Sequence, residues 1–149
     1  MERTYTLRWR ADADDPPGGV AVRADVPKGW QEEVTPTGGP RFRVEGFGGA
    51  GGPAIVMIHA PGADAAAQLA WAISQQFDAA ELGAARREDR PDGRVWIEHR
   101  RPPGFVHARM FVPAPAVGGV VMASVMLTPA DAERLQDLRA FFDSVRLAS

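Results

Sequence analysis

Arg94-Val95-Trp96-Ile97-Glu98-His99-Arg100-Arg101-Pro102-Pro103-Gly104-Phe105-Val106-His107-Ala108-Arg109-Met110-Phe111-Val112 reads as two strand-like runs around a turn. Pro-Pro-Gly cannot continue a strand, so Arg94–Arg100 and Phe105–Val112 predict an antiparallel hairpin. Two registers are open. Pairing centred on Pro103 makes His99 and His107 cross-strand neighbours that could share a metal ion. A register one residue tighter puts Val95 and Ile97 with Val106, Ala108, Met110 and Val112 on one apolar face. Its other face then carries Trp96, Glu98, Arg100, His107 and Arg109. The tighter register separates apolar from polar residues better and is the one expected. It leaves no two-histidine site, and no metal is expected.

Outward from the hairpin, Val120–Leu127 and Ala54–Ala60 are nearly continuous apolar runs, as central strands covered on both faces would be. Thr4–Arg10, Val20–Val26 and Arg41–Phe47 alternate and predict half-buried strands. A helix is expected from Ala65 to about Ala80, capped by Asp64, with Leu69, Ile73 and Phe77 as its buried stripe and Ala66 and Ala70 letting it sit close to a sheet. Residues 81–93 read as a polar connection. The last helix has the strongest start: Thr128 as cap, Pro129 in the first turn and Asp131 three residues past the cap. Leu135, Leu138, Phe142 and Val145 mark its inner face. The layout predicts an α+β fold in one domain spanning 1–149: an antiparallel sheet of about six strands flanked by two main helices.

The 149 residues are 45% apolar and 24% charged, a globular composition. There is no cysteine, which excludes disulfides, thiolate metal sites and cysteine nucleophiles. Lys28 is the only lysine, so Schiff-base or Walker-type chemistry would rest on it alone. The net charge of −2 argues against a dedicated nucleic-acid binder. Residues 1–10 contain no apolar signal core. Taken as a native start this predicts a cytoplasmic protein; a chain cut from behind a signal or anchor would be periplasmic or lipid-anchored. Met110–Ala130 carries no charge over 21 residues, the length of a membrane span. Its prolines and glycines divide it into two strands and a helix start, so no span is expected.

Gly46-Phe47-Gly48-Gly49-Ala50-Gly51 matches the dinucleotide-binding glycine pattern. That chemistry needs a helix opening on the glycines, whereas Pro53 and a strand follow; a hairpin loop is expected. Asp12-Ala13-Asp14-Asp15 lacks the bidentate glutamate of a calcium loop, since Arg23 stands in that place, and reads as a solvated acidic turn. His59 inside the most apolar strand reads as a hydrogen-bonded core histidine. No serine has the glycine-flanked elbow of a hydrolase. Glu98 and His107 could pair as acid and base in the tighter register, with Trp96 near Arg109, but an outer face with an ion pair and a cation–π contact is the plainer reading. Residues 86–109 hold seven arginines against four acids, a solvated face or an anion or partner surface. No catalytic residue and no cofactor is expected.

Val22-Arg23-Ala24-Asp25-Val26-Pro27-Lys28-Gly29-Trp30 is a strand ending in Val-Pro-x-Gly-Trp. The chain closes with an apolar strand, a Thr-Pro cap and Phe141-Phe142-Asp143-Ser144-Val145-Arg146-Leu147. With the order of elements between them, these two motifs resemble the PsbP-like superfamily, which includes the photosystem II extrinsic protein, the small Ran-binding import factor, bacterial DcrB-type proteins and the Eag chaperones of type VI secretion. The resemblance implies an α/β/α sandwich with Trp30, Phe141 and Phe142 in the core. It implies no common catalytic residues and a role in binding another protein. The leading expectation is therefore a non-enzymatic adaptor whose contact surface is Trp96, Glu98, Arg100, His107 and Arg109. One alternative is an Eag-like chaperone, possible as a homodimer, holding an apolar effector segment. Another is a small-ligand binder or enzyme with a pocket between sheet and helix.

Overall fold

Short apolar runs broken by proline and glycine must pair with one another to bury their backbone, and here they pair antiparallel throughout. The computed structural model describes residues 1–8, 19–44, 46–47, 54–62 and 65–148. The strands are β1 (Glu2–Leu7), β2 (Val20–Asp25), β3 (Gln31–Val34), β4 (Pro40–Arg43), β5 (Ala54–Ala60), β6 (Arg86–Asp89), β7 (Val95–Arg101), β8 (Phe105–Pro113), β9 (Val120–Leu127) and β10 (Arg146–Leu147). The α-helices are α1 (Ala65–Gln76), α2 (Ala79–Ala84) and α3 (Gln136–Ser144). A seven-stranded sheet has the order β3-β4-β5-β9-β8-β7-β6, and a three-stranded sheet the order β1-β2-β10.

The α+β class and the antiparallel sheet are as expected from the sequence. The count of about six strands is corrected to ten in two sheets, among the described residues. β3, β6 and β10 gave no signal because each is an edge strand of two to four residues, mostly polar and without apolar alternation. Asp64, residues 12–15 and residues 48–53 of the glycine-rich run lie outside the described residues, so the readings placed on them do too.

The large sheet is buried on both faces. One face sets Phe42, Ile55, Met57, Trp96, Met110 and Leu127 against Leu7, Val20 and Val22 of the small sheet and Leu138, Phe141 and Phe142 of α3. Trp30 packs there too, its ring 4.9 Å from Phe141 and 5.7 Å from Phe42. The other face sets Val95, Ile97, Phe111, Val120 and Met122 against Ala72 and Ile73 of α1 and Phe77 just past its end. Ile73 and Phe77 form the predicted stripe, with Leu69 partly buried beside them. Ala70, expected against the sheet, is exposed.

Asp78 ends the expected helix early by starting another. Asp78 Oδ1 accepts from Glu81 N at 2.8 Å, and Glu81 Oε1 accepts from Asp78 N at 3.1 Å. This reciprocal capping box starts α2, where a polar connection was expected. We predict that Asp78→Ala costs about 1 kcal/mol, read as a fall of about 3 °C in the melting midpoint. An unchanged midpoint would show that the cap contributes nothing.

The Thr128 signal makes a turn rather than an α-helix: Asp131 N donates to Thr128 O at 3.0 Å, and a 3-10 turn (Ala132–Arg134) precedes α3. Leu135, Leu138, Phe142 and Val145 are nevertheless all buried, as the spacing predicted. The charge-free stretch from Met110 divides between β8, the turn that follows and β9. No helix among the described residues is long and apolar enough to cross a membrane.

Candidate functional site

The hairpin turn decides where every expected contact residue points. Gly104 N donates to Arg101 O at 2.7 Å across the turn Pro102-Pro103-Gly104. Arg101 therefore faces Phe105, His99 faces His107 and Trp96 faces Met110. This is the register centred on Pro103, not the tighter one, and it is a correction. Patterning favours the tighter register because it makes one apolar and one polar face. That argument needs one wet face, and here both faces are covered.

The correction separates the five residues of the expected contact surface. Trp96, Glu98 and Arg100 point toward α3; His107 and Arg109 point toward α1 and α2. Trp96 is fully buried, its ring 5.2 Å from Phe142 and 4.4 Å from the Arg139 guanidinium. Its Nε1 donates to Glu98 Oε2 at 3.0 Å. Arg100 is exposed and pairs with Glu133 at 3.1 Å. Glu98 and His107 are thus no acid–base pair, and the cation over Trp96 is Arg139, not Arg109.

Several arginines of the 86–109 stretch are used within the fold. Arg90 holds Asp143 at 2.6 Å, and Arg139 of α3 reaches back to Glu88 at 2.9 Å. The Arg139 hydrogen bond, ahead of the charges of Arg86 and Arg90, holds the Glu88 carboxyl below its ordinary range. Arg94 Nη1 donates to the Val145 carbonyl at 3.0 Å, just past the end of α3. These contacts clamp α3 to the edge strand and its neighbour.

The opposite face carries a different chemistry. Across four strands, one rung runs Val56, Ser124, Arg109, Ile97; the next runs Met126, His107, His99 over three strands. The helices cover the Ile97 end. At the β5 end, Ile58 is 40% and Met126 43% exposed. Beside Met126 lies a hollow of 260 Å³ lined by Ala54, Val56, His107, Arg109, Ser124 and Met126. Further out on β4, Arg41 and Arg43 stand opposite Val56 and Ala54, with Glu33 of β3 opposite Arg41.

His107 is buried, with its ring 4.8 Å from Phe77. Its Nε2 accepts from Arg109 Nε at 2.7 Å. A neutral imidazole has one acceptor, so its proton sits on Nδ1, and the 3.5 Å approach of Arg101 Nη2 to Nδ1 is a contact, not a bond. Burial first, then the charges of Arg109 and Arg101, push the His107 pKa down to about 4. Burial, then Arg101, also lower that of Arg109 to about 10, so Arg109 stays charged at neutral pH. Arg101 is neutralised by Glu81 at 2.7 Å, and His99 Nδ1 lies 3.5 Å from the same carboxylate. Among the described residues no carboxylate pairs with Arg109, and no hydrogen bond reaches Ser124 Oγ. The two facing histidines sit among arginines, a poor setting for a metal cation. No group of three or more potential ligands occurs among the described residues.

His59 is a buried core histidine, as expected, its Nε2 donating to the Gly118 carbonyl at 3.1 Å. Next to it Gly119 has φ +83°, and a Cβ there would strike the Ala60 carbonyl. The hollow itself was missed from sequence. Ser124 and Val56 lie in continuous apolar runs, and nothing local tells which end of such a strand a helix leaves open. No family model matches the chain, and no curated protein matches it.

Proposed function

We propose that this chain is a non-catalytic protein-interaction domain of the PsbP-like kind, and that it docks its partner on the open β5–β9 end of the large sheet. The observation that carries this reading is the exposed apolar strip of Ile58 and Met126, continuous through Val56 and Ala54 and bordered by the charge of Arg109. Large apolar side chains so exposed on a sheet otherwise covered on both faces are what an interface core requires. The surface replaces the one expected around Trp96, which has no exposed atom to offer.

The test is affinity capture of the tagged protein from its native cells, comparing wild type with Ile58→Asp/Met126→Asp. Both positions are exposed, so we predict a melting point within a few degrees of wild type. A protein retained in stoichiometric amount by wild type and lost by the variant is the expected result. Retention by both would move the interface elsewhere, and a wild type that retains no protein would overturn the adaptor reading.

A further inference from the structure

We infer that the hollow between β5, β9 and β8 binds a small apolar monocarboxylate, its carboxylate on Arg109 and Ser124 and its tail on Ala54, Val56 and Met126. This goes beyond protein docking: the hollow shares Ala54, Val56, Met126 and Arg109 with the docking strip, but Ile58 does not line it, so the two are tested apart at Ile58.

The argument starts from Arg109. Its Nε is committed to His107 at 2.7 Å, which fixes the plane of the guanidinium. Its two Nη groups have no hydrogen-bond partner among the described residues. A partly buried guanidinium without a counter-charge is costly, and a carboxylate taking both Nη groups in a fork removes that cost. Ser124 stands directly opposite Arg109 on the neighbouring strand, with an uncommitted hydroxyl that can donate to the same oxygen pair.

Charge selects the class of ligand. Glu81 already neutralises Arg101 at 2.7 Å. His107 is uncharged, because a proton on Nε2 would face the donating Arg109 Nε. Arg109 is the one cation among the residues that line the hollow, with Arg41 and Arg43 outside its wall opposite Val56 and Ala54, so the single fork inside it matches a monocarboxylate. The remaining walls are Ala54, Val56 and the adaptable thioether of Met126, which favour an alkyl or aryl tail over a polar one. At 260 Å³ the space lies below the range of about 300–1,000 Å³ typical of drug-sized ligands, so the tail is short.

The probe is hexanoate, with hexanamide and inorganic phosphate as controls, titrated into the full chain and followed by amide chemical shifts. We expect saturable millimolar binding of hexanoate, with the largest shifts at Ala54, Val56, Ser124 and Met126. Hexanamide should bind at least about tenfold more weakly, since it cannot supply the charge. Phosphate should neither bind nor compete. Arg109→Met should lose hexanoate binding by a similar factor while melting within a few degrees of wild type, because the charge it removes offsets the donor that His107 Nε2 loses. Arg109→Lys keeps the charge but not the fork and should fall between the two. The comparison of hexanoate with hexanamide on the wild type needs no variant to fold. Absence of saturable hexanoate binding, equal binding of the amide, or shifts clustered elsewhere would each overturn the inference. Ile58→Asp/Met126→Asp losing a protein partner while Ile58→Asp alone keeps hexanoate would leave both readings standing; loss of either result sinks only its own.

Discussion

Trp96→Ala should lower the stability by about 4 kcal/mol, in the range of a large aromatic removed from a core. The indole has no exposure and is held on two sides, by Phe142 at 5.2 Å and by the Arg139 guanidinium at 4.4 Å. Truncation leaves a cavity between the large sheet and α3, removes the cation–π contact and frees Glu98 Oε2 from its donor. Arg139 also loses the surface that positions it toward Glu88, so the clamp on α3 loosens with it. A domain of this size has about 5–15 kcal/mol in all, so the variant would be close to unfolding at physiological temperature. Urea denaturation measures this as a fall in midpoint at constant slope. Trp96→Phe keeps part of the packing and should cost about half as much. A Trp96→Ala loss under about 1 kcal/mol would mean that the indole is not packed as described. Any loss of partner binding in this variant would then follow its unfolded fraction, because Trp96 reaches no surface.

Acid should weaken the fold through His107 before it reaches the carboxylates. The unfolded chain takes up this proton near the ordinary value of 6.5, whereas burial and the two arginines delay it to about 4 in the fold. Between those values the unfolded state binds more protons, so stability is complete above pH 6.5 and falls as the pH drops toward 4. The full loss is about 3 kcal/mol. The groups facing the ring are Phe77 just past α1, Glu81 from α2, Arg101 and His99 from β7, and Arg109 beside it on β8. Glu81 alone favours the proton, and it is outweighed. Glu88, Asp89 and Asp92 are held below their ordinary values by Arg139, Arg87 and Arg94 respectively, so what they contribute is lost only in more acidic solution. His107→Gln keeps an acceptor for Arg109 and cannot titrate in this range. Urea titrations at pH 6.5, 5.5 and 4.5 should show a steep decline in wild type and a shallow one in the variant. Equal slopes would mean that His107 is solvated.

The sequence by itself determined the elements whose physics is local. Ala54–Ala60 and Val120–Leu127 were legible to their end residues, because long apolar runs stop where proline, glycine or a polar turn begins. The buried stripes Ile73–Phe77 and Leu135–Leu138–Phe142–Val145 were legible because helical spacing leaves them on one side whatever covers it. The α+β antiparallel class follows from these. The edge strands were not legible, since β3, β6 and β10 are chosen by what they can pair with rather than by their own side chains. Nor was the site. A shift of one residue in the hairpin exchanges its two faces, and patterning points to the wrong register because it assumes one wet face where both are covered. The three-residue turn discriminated locally, and burial from two sides made its choice tolerable: Trp96 went under α3, while Arg109 went toward α1, beyond which the helices stop short of β5. Where a covering layer ends is set by how the layers fit together, and that is why the uncompensated arginine and its hollow exist only in the tertiary structure.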